Sequence, residues 1–441
     1  MKKFFQTIKN IFTIEDLRIR ILNTLGILMI FRLGSFIVLP GVDPVILKAV
    51  AGEAQGIFGI INTFLGGAFS RASIFALGIM PYISASIVIQ LLAVAVPYFQ
   101  KLQKEGESGR KKINQITRML TIAITFMQSI GYIAATIPAE AIMLDPFVFK
   151  VTSIIVLISG TMFTVWLGER ITEKGIGNGI SMLIMIGIIS RLPFEVVAEM
   201  ASKGMSGALF FVLEIVALFF IVVAVVAFTQ ATRRIPVQYA KQVIGNKVYG
   251  GQRQYIPLRV NSSGVMPIIF AQSLMFLPPL LANIWASNSD IAAYVGTTFS
   301  DFTSWQYNLT FGILILVFTF FYTAITVNPN QIAEDLKRNG GFIPGIKPGK
   351  ATSEYIDTVL TRITLPGSIF LAIVAIMPAF ANMAGVGIGF SQFYGGTSLL
   401  IMVGVILDTL QQIESYLLMR HYEGLMKSGR IRGRSQNVAV A

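Results

Sequence analysis

Residues 64–92 read FLGGAFSRASIFALGIMPYISASIVIQLL, and this stretch departs from a plain row of membrane helices. It opens on a Gly-Gly pair and Ser-Arg-Ala-Ser, too polar and too breakable for a span that faces lipid. It then runs into apolar sequence interrupted by Gly78 and Pro81. Backbone that is irregular at membrane depth persists only where protein or a water-filled cavity satisfies its free N–H and C=O groups. The stretch therefore reads as the wall and obstruction of a passage.

Composition supports a membrane setting. Charged residues make up 13% of the 441 residues, against about 25% in soluble domains, while 54% are hydrophobic and the mean hydropathy is +0.70. The first apolar run, Ile21 to Leu39, contains Arg32, exceeds a signal-peptide core in length and lacks a small-residue cleavage site, so it reads as a retained span. The absence of cysteine excludes disulfides, thiolate metal sites and cysteine nucleophiles.

Residues 1–20 put Phe4, Phe5, Ile8, Ile11 and Phe12 on one helical face among basic residues, as suits a helix at an anionic inner surface. At about 20 apolar residues per crossing, spans fall near 21–39, 74–96, 119–137, 151–167, 178–192, 208–228, 264–285, 307–327, 364–381 and 397–418. This is an all-α polytopic membrane protein of ten spans. Lys and Arg in alternate connections number five in 1–20, six in 101–118, two in 169–175, six in 230–262, five in 329–363 and five in 420–441, which is 29 of 35. The positive-inside rule then puts both termini in the cytoplasm and explains the net charge of +13 without nucleic acid. Five spans on each side of the midpoint, in residues 21–192 and 208–418, allow two inverted halves around a central path, followed by a basic tail at 419–441.

Two cytoplasmic connections are too long for turns. Residues 230–262 lack acidic residues and alternate three tyrosines with bases, the pattern of a protruding β-hairpin around Gly250 and Gly251. Residues 329–363 begin amphipathic and continue into Gly-Gly and Pro-Gly turns.

Catalytic patterns are missing. The sole histidine is His421 in the tail, and no GxSG, HExxH or GxGD string occurs. Gly349-Lys350 lacks the Ser or Thr and the upstream glycine of a phosphate loop. Gly175-Ile-Gly-Asn-Gly179 is a weak dinucleotide mimic that reads as a helix N-terminal cap at a membrane boundary. Charge inside spans marks ion or substrate sites by default. Arg32, Arg71, Glu214 and Asp408 nonetheless lie on separate segments and compose no recognisable proton relay or sodium cage. Isoleucine recurs instead, with Ile79 and Ile83 at i, i+4 on one face and Ile180 and Ile184 likewise. That spacing is ordinary core packing, and it is also what an apolar constriction against water and ions needs.

Long ordered strings carry a resemblance. GGAFSRASIFALGIMPYISASIVIQLL, KEGESGRKKINQITR, SGTMFTVWLGERITEKGIGNGIS, RRIPVQYAK, PLRVNSSGVMPIIFA, FIPGIKPGKAT and FYGGTSLLIMVGVILD resemble the SecY family, channel subunits of the bacterial preprotein translocase, over essentially the whole chain. The resemblance implies a ten-helix clamshell around an hourglass pore in the cytoplasmic membrane. It implies a pore ring at Ile79, Ile83, Ile180, Ile184, Ile269 and Ile401. A plug falls at residues 57–70, including Phe64, Gly66, Gly67 and Ser70, with Arg71 at its hinge. Ser84, Ile87 and Leu277 fall at a lateral gate facing signal sequences, and Arg233, Arg234, Lys347 and Pro348 at a docking surface for the SecA motor or the ribosome. Lys347 departs from the arginine common at this place in bacterial relatives; it keeps the charge and loses the planar fork. The implied partners are SecE, SecG, SecA, the ribosome, unfolded preproteins and membrane lipid, with no cofactor, no enzyme activity and no sequence-specific nucleic acid. A small-solute secondary transporter with inverted repeats is the rival reading, and it requires a clustered polar site at mid-membrane. An intramembrane enzyme is the third, disfavoured by the missing catalytic strings.

Overall fold

The computed structural model describes residues 14–50, 65–204, 207–239, 242–244, 247–249, 253–275, 278 and 290–427. The amphipathic segment up to residue 13, Phe64 with plug residues 57–63, Leu277 and the tail beyond 427 lie outside the described residues.

Helix α1 spans Glu15–Gly34, with Glu15 and Asp16 in its first turn where the helix dipole favours negative charge. It begins earlier than the apolar run, so residues 15–20 continue directly into the first span. Helix α2 (Pro44–Val50) follows. The second span differs from its expected start at residue 74. Residues 65–79 form turns, and helix α3 runs Met80–Ala95 with Pro81 in its first turn. Proline starts this helix because the N–H it lacks would be unpaired there anyway. Gly78, at φ +51, supplies the left-handed step just before it. Helix α4 (Pro97–Lys104) turns away from α3 by 103° at Val96, which precedes Pro97 and is extended.

Helices α5 (Glu107–Thr136), α6 (Pro146–Lys174), α7 (Gly179–Lys203) and α8 (Ala208–Gln230) complete the first part of the bundle and begin the second. Asp145 caps α6 by accepting from the N–H groups of Phe147 and Val148. Helices α9 (Met266–Met275), α10 (Asp290–Ser300), α11 (Trp305–Thr326), α12 (Pro329–Arg338), α13 (Lys350–Met383), α14 (Ile388–Ser391) and α15 (Gly396–Lys427) follow. Among the described residues seven helices are long and apolar enough to cross a membrane, and the bent α3–α4 pair makes an eighth. This is a helical, multi-pass membrane protein. Of the remaining expected spans, 21–39 overlaps the 20-residue α1, and 264–285 holds α9 and then leaves the described residues.

The loop between α8 and α9 forms the expected hairpin, with its reversal displaced. Strand β1 (Thr232–Tyr239) pairs antiparallel with β4 (Arg253–Arg259), and β2 (Gln242–Ile244) with β3 (Lys247–Tyr249). The innermost pair is Ile244 with Lys247, so the reversal falls between these two; Gly250 and Gly251 lie outside the described residues. Strand β5 (Gly341–Phe342), from the second long loop, adds to β1 through Gln238↔Phe342 and Tyr239↔Gly341. The two loops therefore form one three-stranded sheet, ordered β4-β1-β5. Its apolar side is a small core of Ile235, Val237, Leu258, Leu336, Ile343 and Ile356.

Within the bundle a large core runs from α1, α3 and α7 into α9, α11, α13 and α15. A smaller one joins Leu39, Val42 and Leu47 to Leu65, Phe69, Ala72 and Leu77 and to α5 and α6 through Tyr132 and Phe149.

Candidate functional site

The six sequence-predicted isoleucines come from the N-cap of α3 and from α3, α7, α9 and α15, and all belong to or pack against the large core. Ile79, Ile83, Ile184 and Ile401 are buried members of that cluster, and the half-buried Ile180 and Ile269 pack against it. Ile79 is the N-cap of α3, and the Ile83 N–H donates to its carbonyl at 3.1 Å, which stacks the two side chains one turn apart. Ile180 and Ile184 open α7, whose start is set by the glycine-rich string. The Asn178 side-chain oxygen accepts from the N–H groups of Ile180 at 3.1 Å and Ser181 at 3.3 Å. Gly177, at φ +82, donates its N–H to Gln412 Oε1 of α15 at 2.8 Å. The cap foreseen from the sequence is thus also a join between α7 and α15. Removing it with Asn178→Ala lowers stability by about 1 kcal/mol. A depressed thermal unfolding midpoint of the purified protein reads this, and Asn178→Asp, which keeps an acceptor, holds the midpoint near wild type.

Around the opening stretch the chain divides between two cores. Leu65, Ala68, Phe69 and Ala72 belong to the smaller one, whereas Phe75, Ile79, Ile83 and Ile87 belong to the larger. The Tyr132 hydroxyl of α5 donates to the Phe69 carbonyl at 2.6 Å, and the two rings meet edge to face at 4.8 Å. Gly66 and Gly67, at φ +62 and +85, take left-handed conformations that side chains rarely adopt. Ala72 does so without being glycine, at φ +46 beside Arg71, and its carbonyl accepts from the Leu39 N–H at 2.8 Å. Strain of this kind is held only where surrounding contacts over-determine it. Ser84 is half-buried and donates to the Met80 carbonyl, while Ile87 is buried among core side chains.

Among the described residues, the basic residues of the two long loops are exposed. Arg233 and Arg234 lie exposed on β1, and Lys347 and Pro348 are exposed in the turn before α13. Because β5 joins β1, the two loops present one platform.

The charges inside spans are grouped in a way the sequence did not reveal. Glu214 of α8 pairs with Lys203 at the end of α7, and Lys203 also meets Glu199 at 3.2 Å. Glu199 Oε2 accepts the Gly387 N–H at 3.0 Å, and the Tyr394 hydroxyl donates to the Glu214 carbonyl at 2.8 Å. Burial, with the Glu199 carboxylate adding, pushes the Tyr394 phenol up to about 12, so it remains a donor at neutral pH. Arg32 and Arg71 both lie against the ring of Phe36. Asp408 is exposed on α15. Among the described residues no group of three or more His, Cys, Asp or Glu side chains is arranged to hold a metal. Tyr132, Lys203 and Glu199 escaped the sequence reading, since a lone Tyr, Lys or Glu near a span end carries no periodic signal.

The chain is thus a many-helix membrane bundle with an apolar core and an exposed basic sheet. The profile of the SecY family matches residues 73–410. The chain is 44% identical over 433 residues to the protein translocase subunit SecY of Mycobacterium bovis, covering 93% of this chain and 97% of the relative. It is 44% identical over 443 residues to that of Halalkalibacterium halodurans, covering 96% and 100%. In fold it matches a solved protein-conducting channel with a TM-score of 0.62 at 16% identity, over 96% of this chain and 95% of the other. It also matches Sec61 of a canine ribosome-channel complex from the endoplasmic reticulum, with a TM-score of 0.57 at 16% identity over 96% and 95%. The chain belongs to the SecY family.

Proposed function

We propose that this chain is the protein-conducting channel of a bacterial cytoplasmic membrane, passing unfolded secretory preproteins across and releasing apolar segments sideways into lipid. The observation that carries this reading is the gathering of six isoleucines from four separate helices in one apolar core, within a chain of the SecY family. An apolar constriction withholds water and ions yet yields to a wide, flexible chain. Ile79, Ile83, Ile180, Ile184, Ile269 and Ile401 form that ring. Residues 57–70 act as the plug, turning at Arg71. Ser84, Ile87 and Leu277 face the lateral gate between the second and third spans on one side and the seventh and eighth on the other.

No bond is made or broken. A signal sequence is an apolar helix, so it replaces contacts between gate helices and shifts a closed-to-open equilibrium, in proportion to its preference for the open state. Energy comes from outside the chain, and the platform of Arg233, Arg234, Lys347 and Pro348 receives the SecA motor or the ribosome. SecE clamps the two five-helix halves, SecG lies at the periphery, and both termini face the cytoplasm. The chain itself is not an enzyme.

The test is a photo-crosslinking residue at Ile83 or Ile269 with a preprotein stalled in transit. Adducts to the preprotein at both positions, absent at exposed Phe210 of α8, are expected. Equal labelling at all three positions sinks the central path. A solute transporter would instead give saturable, ion-coupled uptake of one small solute in liposomes.

A further inference from the structure

We propose that Arg32, Arg71 and Arg191 form a binding site for a small inorganic anion, a halide or phosphate, beside the Gly66-Gly67 turn. The guanidinium carbons of Arg32 and Arg71 lie 4.9 and 4.5 Å from the centroid of the same Phe36 ring. Arg191 follows Ser190, whose hydroxyl crowds the same Gly66 that Arg32 binds, so α7 brings a third positive charge to this turn. Among the described residues the single ion pair in this group is Arg191 with Glu195, at 2.6 Å, so two positive charges stay unbalanced. The face of an aromatic ring attracts a cation by about 0.5–2 kcal/mol and neutralises none. Arg32 spends one N–H on the Gly66 carbonyl at 2.9 Å. Arg71 Nη1 is buried with no hydrogen-bond partner. A buried charged donor left unmade is unfavourable, and like charges repel more strongly away from bulk water. A compact anion answers the surplus charge and the missing acceptor together.

The three arginines come from α1, from the turn after Ser70 and from α7, so the site is complete only while the turn is seated. Gly66 fits closely there, since a Cβ on it would fall 2.6 Å from Arg32 Nη1 and 2.7 Å from Ser190 Oγ. An anion that binds only the seated arrangement stabilises it by mass action. This consequence rests on the plug reading above; the site itself does not.

The probe is bromide, applied to the full chain purified with its co-purifying subunits. An anomalous bromine peak within hydrogen-bonding distance of Arg32 and Arg71 is expected. Chloride or bromide should also raise the thermal unfolding midpoint saturably over isethionate at equal ionic strength. Arg71→Gln should abolish that rise, and Arg71→Lys, which keeps the charge, should weaken apparent affinity about tenfold through the lost fork. Displacement of bromide by phosphate assigns the site to oxyanions, and its persistence assigns it to halides. No bromine peak, or an equal midpoint rise in Arg71→Gln, overturns the site. Bromide bound with full effect on the midpoint, and no anion dependence of resting conductance, keeps the site and refutes its link to the plug.

Discussion

Glycine at both Ile83 and Ile184 raises resting ion conductance of the reconstituted channel on the order of tenfold or more, because it opens an apolar constriction to water. Both side chains are buried in the central core, at 9% and 7% exposure, and they approach from different helices. Their removal leaves space that the surrounding helices fill only in part. The same change also destabilises the fold, by about 2–5 kcal/mol for a buried isoleucine cut to alanine. Ile315 separates the two effects. It is fully buried in the same core, on α11 and outside the proposed ring. Ile315→Ala should lower the unfolding midpoint and leave the leak unchanged. Single-channel recording in planar bilayers reads the difference; a silent double variant, or a leaky Ile315→Ala, removes the ring as the seal.

Charge reversal at Arg233 and Arg234 lowers affinity for the cytosolic partner about 10–100-fold at low salt, mainly through slower association. Both side chains are exposed on β1, so the strand keeps its pairing with β4 when they change. Exposed charges separated by more than about 8–10 Å are screened at physiological salt. The gap between wild type and Arg233→Glu/Arg234→Glu should therefore narrow as salt rises. Surface plasmon resonance against SecA or ribosomes measures it. Full affinity at low salt in the double variant would remove these residues from the docking surface.

Much of this architecture was legible in the chain. Span lengths and the glycine-rich cap at 175–179 both speak through local physics, because hydrophobic thickness and orphan helix N–H groups act within a few residues. What stayed hidden depends on neighbours distant in sequence. Pro81 looked like a break and is a helix start, since turns at 65–79 already satisfy the backbone before it. Between Ile244 and Lys247, by contrast, the sequence reads Gly-Asn, a two-residue hairpin signal that was passed over in favour of Gly250-Gly251. Arg32, Arg71 and Glu214 read as scattered because their neighbours are set only by the fold: Arg32 and Arg71 share the ring of Phe36, and Glu214 meets Lys203 separately. The isoleucine pairs at 79/83 and 180/184 were visible as spacing, whereas Ile269 and Ile401 entered through family resemblance alone.

The pairing of β5 with β1 also orders events during synthesis. Gln238 and its partner Phe342 stand about 100 residues apart, with α9, α10, α11 and α12 between them. The sheet therefore cannot be completed while Phe342 is still inside a translating ribosome, and its two contributors return to the same face only after the intervening helices have been laid down. An insertion error among those helices would strand β5 away from β1 and leave the edge of β1 unpaired, an exposed template for other chains. The three-stranded sheet thus reports on the assembly of the membrane part: it is whole only on a chain whose middle helices have been threaded correctly.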